Sequence, residues 1–232
     1  VDVRGLLGLL LIDGSLAPYR SPTGGYIQMT LTAGVSESAF LEDKVAEFRQ
    51  FVPTKAEIIP YSTRPRANGR STQVLRFRVS TNKLRPVYNL LYPQGERQIT
   101  STALDLLGAR AAAWCWAEGA RLMKDGSSIL ARVGTTIDEA YLMASWIEVL
   151  TGARSELEGE LVKPRLSLDA TQTSKIQEAL APYAPSSRRY LFTGEHWDVS
   201  SIRSARTELL LGEGRHLAQG EPEEALVGAQ AQ

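Results

Sequence analysis

"GLLGLLLIDGS", residues 5–15, is the stretch on which the fold turns. Nine of its eleven residues are apolar or glycine, and its one charged residue, Asp13, stands directly before Gly14. A helix drawn over residues 4–12 is apolar nearly all round, so it is expected to be buried on several sides. The acid at its end then needs a reason. A solubilising charge belongs on an exposed face, and a helix stop needs only glycine or asparagine.

The reason comes from further along the chain. "ALDLLGARAAAWCWAEGARL" (103–122) holds a second apolar helix, and it too ends in an acid and a glycine, Glu118–Gly119. The two acids are 105 positions apart. A repeat of that length signals two halves of a pseudo-symmetric domain rather than a solenoid.

The elements between the acids repeat in the same order. "YIQMTLTA" (26–33) alternates as a strand does, after "PYRSPTGG" breaks the first helix. "SESAFLEDKVAEFRQFV" (36–52) carries Phe40, Leu41, Val45, Phe48 and Val52 at helical spacing, with Ser36 as its cap. "KAEIIPYS" (55–62) and "STQVLRFRVST" (71–81) read as two strands joined by a turn at Asn68–Gly69. A short helix entered at Arg85–Pro86 follows, and "QGERQIT" connects the halves. In the second half, 127–136 reads as a strand, 138–152 as a helix, 156–170 as two strands and 173–184 as a helix. The halves are thus 1–100 and 101–193, leaving 194–232 for one more helix and a disordered Ala/Gly/Gln-rich tail.

Superposing the two helix ends places Asp13 on Glu118, Gly14 on Gly119 and Gly8 on Ala113. Small residues at this last position allow close helix approach. Packed about a pseudo-two-fold axis, the helices each deliver one carboxylate to a shared spot. Two such groups repel unless a cation lies between them. Mg²⁺ suits carboxylate oxygens, waters and phosphates. The arrangement is therefore fitted to metal-assisted phosphodiester hydrolysis. The strands would form two curved sheets, one per half, able to lie in a DNA groove and read base edges with alternate side chains.

Charge supports a nucleic-acid partner in the first half. The chain is neutral overall, but residues 1–102 hold 13 Lys and Arg against 8 Asp and Glu. Eight basic residues fall in 62–97, where Glu96 is the only acid. Arg64, Arg66, Arg70, Arg76, Arg78 and Lys83 are the candidate DNA contacts, since a local basic stripe says more than net charge. The second half does not match: residues 103–193 hold 10 basic and 11 acidic residues, and "SELEGELV" is acidic where a DNA-facing strand should not be.

These residues carry a resemblance. The chain resembles the LAGLIDADG homing endonucleases of the single-chain, two-motif type. "LLGLLLIDG" (6–14) matches the family motif at Leu6, Gly8, Leu9, Asp13 and Gly14; "AAAWCWAEG" (111–119) is a weaker copy, with Glu118 in place of Asp. "FRVSTNKLRPVYNLLYPQGERQIT" (77–100) resembles the segment before the second motif, and the likeness covers about residues 4–192. The resemblance implies an α+β fold, a pseudo-two-fold duplicated αββαββα. It implies a monomer that cuts both strands of a DNA site with Mg²⁺ or Mn²⁺. The metal ligands would be Asp13 and Glu118 with the backbone of Gly14 and Gly119. A basic residue from a strand would stand near them, with Arg76, Arg78 and Lys83 as candidates. A second reading is a non-cleaving nucleic-acid-binding relative, such as an intron RNA maturase or a domesticated DNA-binding protein. The neutral charge and divergent second motif favour it.

The rest of the sequence narrows the field. The longest apolar run, Leu6–Ile12, is too short to cross a bilayer and lacks the flanks of a secretory signal. A cytoplasmic location, or an organellar one, fits. One cysteine, Cys115, excludes an intrachain disulfide framework, and with His196 and His216 near the C-terminus a Cys/His zinc site is disfavoured. Trp114, Cys115 and Trp116 sit in the second apolar helix and read as core.

Overall fold

The computed structural model describes residues 2–21, 24–63, 71–160 and 163–194. The turn expected at Asn68–Gly69, the arginines Arg64, Arg66 and Arg70, and the expected C-terminal helix and tail lie outside them.

Helix α1 (Val3–Leu10) opens on Asp2, whose Oδ1 accepts from the N–H groups of Arg4 (2.9 Å) and Gly5 (3.2 Å). This satisfies two of the donors that every helix start leaves free. Strands β1 (Ser15–Ser21) and β2 (Gly24–Gly34) follow, then a 3-10 turn at Val35–Glu37 and helix α2 (Ser38–Phe51). β3 (Ile59–Ser62), β4 (Gln73–Thr81) and α3 (Arg85–Leu91) complete the first half. A connector and the single turn α4 (Ser101–Leu104) lead to α5 (Ala109–Gly119). The order then repeats: β5 (Ala120–Leu122), β6 (Ser128–Leu130), α6 (Ile137–Thr151), β7 (Glu156–Glu160), β8 (Lys163–Leu168) and α7 (Ala170–Leu180).

The two sheets are antiparallel and topologically equivalent, ordered β1-β2-β4-β3 and β5-β6-β8-β7. This is the duplicated α+β architecture expected from the sequence. Two details differ. Residues 15–21 form a strand where a break was expected: β1 pairs along its whole length with β2, Ser15 opposite Thr30 through Ser21 opposite Gly24. It is an edge strand, so Pro18 removes no needed ladder bond. Ser36 does not cap α2, because it lies inside the 3-10 turn, and Glu37 at the cap position makes no side-chain capping bond, its carboxylate accepting from Arg188 instead.

One continuous core joins the halves. It contains Leu6, Leu7, Leu9 and Leu10 of α1, Ala111–Ala117 of α5, and the inward residues of both sheets. Gly8 makes the α1–α5 seam possible: a Cβ there would stand 2.6 Å from the Ala111 Cβ. The partner across the seam is thus Ala111, while Ala113, the pseudo-symmetric counterpart of Gly8, is fully buried. Trp114, Cys115 and Trp116 are buried as expected, and the Trp116 indole donates to the Leu191 carbonyl (3.1 Å). Among the described residues no helix is long and apolar enough to cross a membrane.

Candidate active site

The two acids reach their shared spot by different local routes. Glu118 lies in the last turn of α5, whereas Asp13 lies three residues beyond the end of α1. Gly14 adopts φ +72°, and a Cβ there would also meet Leu31 at 2.8 Å, so glycine is required twice over. Gly119 is needed for space alone. Its φ is not in the left-handed region, but a Cβ would stand 2.4 Å from the Ala131 carbonyl oxygen. The backbone therefore turns through a left-handed glycine at Gly14 and not at Gly119.

Between the acids sits the ammonium of Lys44. Its Nζ donates to Asp13 Oδ2 and to Glu118 Oε2, tying one half to the other. Lys44 lies on the buried stripe of α2 with Phe40, Leu41, Val45 and Phe48, and is itself only 5% exposed. Its Nζ is 4.4 Å from the centre of the Phe40 ring, a favourable cation–π contact. From the outer side Arg132 donates to Glu118 Oε1 and lies 3.7 Å from Asp13 Oδ1. Arg132 has φ +61°, a costly conformation for a residue with a side chain, and its side chain is about half exposed. Two half-buried carboxylates thus face two cations, one inside and one at the surface.

The electrostatics follow from this set. Burial works to raise the Asp13 carboxyl. The Lys44 charge and hydrogen bond, the Gly14 N–H and Arg132 outweigh it, and Asp13 titrates below the ordinary aspartate range. Burial pushes the Cys115 thiol up to about 12, helped by the charge of Glu118 and opposed by Arg97.

Arg97, from the connector, completes the site. Its guanidinium donates to the carbonyls of Leu10, Asp13 (3.1 Å) and Gly14. These oxygens end α1 and its extension, where the helix dipole favours a cation. Two residues on, the Ile99 N–H donates to Glu139 Oε1 (2.7 Å). Glu139 Oε2 also accepts from the N–H groups of Thr135 (2.6 Å) and Thr136 (3.2 Å) in the capping box of α6. The connector is therefore fastened to both halves.

The candidate strand bases lie elsewhere. Arg76 stacks its guanidinium on Tyr61 at 3.8 Å, and Arg78 Nε donates to Thr30 (3.3 Å). Lys83 is exposed in the 3-10 turn after β4. Among the described residues, the cations within ion-pair reach of Asp13 or Glu118 are Lys44 and Arg132. Sequence reasoning passed over both. A lysine inside the apolar stripe of α2 was the available signal for Lys44; nothing local marks Arg132.

Each sheet keeps one face on the core and one open. On the first, Gln28, Thr30 and Thr32 of β2 stand opposite Ser80, Arg78 and Arg76 of β4. Their neighbours Ile27, Met29, Leu31, Phe77 and Val79 point into the core. The open face is thus rich in hydrogen-bonding and basic groups. On the second, Glu156 and Glu158 of β7 stand opposite Ser167 and Arg165 of β8, with Arg165 3.4 Å from Glu158. The acidic stretch noted in the sequence does lie on an open face, but it is partly neutralised across the strands.

The shared ammonium shows that both carboxylates converge on one cation, so the acids suit an ion with oxygen ligands. The two expected backbone ligands already accept hydrogen bonds: Gly14 O from Arg97, and Gly119 O from the Ala131 N–H (3.0 Å). The described residues contain no cluster of three or more His, Cys, Asp or Glu placed to hold a metal. Among the described residues, Asp13 and Glu118 are the carboxylates brought together here, and their oxygens are of the kind a divalent ion accepts beside waters or phosphate oxygens.

The profile of the LAGLIDADG DNA endonuclease family matches residues 4–152. The structure is similar to that of the homing endonuclease I-WcaI bound to its DNA recognition sequence. The TM-score is 0.63 at 13% identity, covering 82% of this chain and 84% of that one. It is also similar to a variant of I-DmoI in complex with its target DNA in the presence of 2 mM Mg. There the TM-score is 0.52 at 13% identity, covering 77% of this chain and 94% of that one. A second I-DmoI variant, in complex with its target DNA in the presence of 2 mM Mn, gives 0.52 at 13%, over 82% and 96%. At such identity the likeness establishes the fold. No curated protein matches the sequence.

Proposed function

The chain belongs to the LAGLIDADG DNA endonuclease family, and from that premise we propose that it is a site-specific endonuclease acting as a monomer on both strands of duplex DNA. The observation that carries this reading is the meeting of Asp13 and Glu118, one from each half, on a single cation. The α1–α5 seam fixes their spacing, and Arg97 and the Gly14 N–H fix the backbone and carboxylate of Asp13. Such positioning is most of what hydrolysis of a phosphodiester asks of protein side chains. When bound at these carboxylates, Mg²⁺ or Mn²⁺ would supply Lewis-acid activation of water and compensate charge on the leaving oxygen. Arg132, at the outer edge of the site, is placed to neutralise a phosphate that approaches the acids. Gln28, Thr30, Thr32, Arg76, Arg78 and Ser80 give the first open face the groups that read base edges and hold phosphates, with Lys83 beside them.

The test is cleavage of a duplex target library with Mg²⁺ or Mn²⁺ by the parent, Asp13→Asn and Glu118→Gln. Loss of cleavage in both variants is expected. Cleavage that survives both substitutions overturns the paired-acid mechanism. A second reading, a non-cleaving binder of DNA or intron RNA, is favoured by one observation: the protein's own cations already satisfy both acids. Retention of duplex or intron RNA by the parent, with no scission under any divalent ion, would decide for it.

A further inference from the structure

We infer that Lys44 is an internal counter-ion that holds the paired acids in the absence of metal, and that a divalent ion loads only as its ammonium withdraws. The inference rests on the reading of Asp13 and Glu118 as metal ligands. It concerns what this chain does with them before metal arrives.

Lys44 Nζ takes one oxygen from each carboxylate, so it stands where a cation shared by the two acids must stand. Arg132 supplies the second positive charge, which leaves the four groups balanced. A divalent ion added to this set would bring unbalanced charge into a largely buried place, with like charges in contact distance. The ion must therefore displace Lys44, an intramolecular competitor whose effective concentration is high because α2 carries it. Lysine suits this task. Its charge sits at the end of a flexible stem and can retract while the stem stays packed, and the Phe40 ring beside Nζ offers a partial substitute for the carboxylates. Arginine, a planar fork on two acids, would not retract in this way.

The duplication supplies a control. The burial pattern of α2, with Phe40, Leu41, Lys44 and Phe48 inside, is repeated in α6 by Glu139, Ala140, Met143 and Ile147. Met143, fully buried, occupies in the second half the place of Lys44 in the first. The fold therefore accepts an unbranched apolar side chain at this position. The positive charge of Lys44 serves the acids, not the packing of its helix.

The experiment measures metal binding to the DNA-free full chain, by Ca²⁺ calorimetry and Tb³⁺ luminescence. The parent, Lys44→Met, Lys44→Gln and the Lys44→Met/Asp13→Asn double variant are compared. Lys44→Met and Lys44→Gln are expected to bind about tenfold or more tightly than the parent at a single site. The double variant should lose that site. Saturating Ca²⁺ should raise the melting temperature of Lys44→Met more than that of the parent. Equal affinities in parent and Lys44 variants, or tight binding that persists without Asp13, overturns the inference. If Lys44→Met does not fold, Lys44→Gln, which keeps one donor, decides alone. The readouts separate the two proposals. Tight metal binding by Lys44→Met with no cleavage by any form refutes the endonuclease reading only. Cleavage by the parent with unchanged affinity in the Lys44 variants refutes this inference only.

Discussion

Gly8→Ala isolates the energetics of the seam that brings the acids together. The added Cβ would lie 2.6 Å from the Ala111 Cβ and 3.2 Å from its Cα. Carbon atoms prefer separations of about 3.5–4.0 Å, so the first contact is short by roughly 1 Å. Both atoms are fixed to helix backbones, and no rotamer change can relieve them. On an open helix the same substitution would gain about 1 kcal/mol in propensity. Overpacking typically costs about 1–3 kcal/mol, and this clash, between two backbone-anchored atoms, belongs at the upper end. A net loss of about 1–2 kcal/mol is expected. Ala111→Gly alone should lose about 1–2 kcal/mol, from one buried methyl and helix propensity. The double variant moves the methyl from one helix to the other and should return close to the parent, giving a coupling of about 2 kcal/mol or more. Urea denaturation of the four proteins, with unchanged m values, measures this. Stabilisation by Gly8→Ala, or single effects that add to within about 0.5 kcal/mol, refutes the close-approach argument.

Three further outcomes follow from the site and its supports. Asp13 titrates below its ordinary value, so its ion pair contributes fully above the unfolded-state pKa of about 3.9 and is lost as pH falls through the lower folded value. Asp13→Asn should thus be less stable than the parent at pH 7, with the gap closing below about pH 4; a gap constant in pH contradicts the assignment. Cys115, with its thiol pushed up to about 12, should resist iodoacetamide at pH 8 in the folded protein and react once urea unfolds it. Equal labelling rates in both states would show that the helix does not shield it. Glu139→Ala strips the acceptor from the N–H groups of Ile99, Thr135 and Thr136 and should cost roughly 3 kcal/mol in urea denaturation. A loss under about 1 kcal/mol would mean that water replaces it at little cost.

The duplication was legible because Asp13–Gly14 and Glu118–Gly119 each close an apolar helix, a pattern that survives when the residues between them diverge. Helix positions were legible from spacing, since Phe40, Leu41, Val45 and Phe48 recur at helical period whatever lies against them. β1 was not, because Pro18 and the glycines after it signal a break; only the pairing with β2 makes residues 15–21 a strand. Lys44 was missed because a charged residue on a helix is usually solvated, and its burial depends on acids 31 and 74 positions away. Arg132 depends on a left-handed backbone that its neighbours in sequence do not announce. The ligands of the acids are thus a tertiary property, while the acids themselves are a local one.

The sheets differ in reach. The first has strands of 7, 11, 4 and 9 residues, the second of 3, 3, 5 and 6. At about 3.3 Å per residue, the longest strand of the first spans roughly one helical turn of B-DNA, and the longest of the second little more than half a turn. Among the described residues the two open faces thus differ in length, and an object laid over both would meet them unequally. The duplication that built two similar halves has thus ended in an object with a direction, free of the palindrome that two equal arms would impose on whatever they hold.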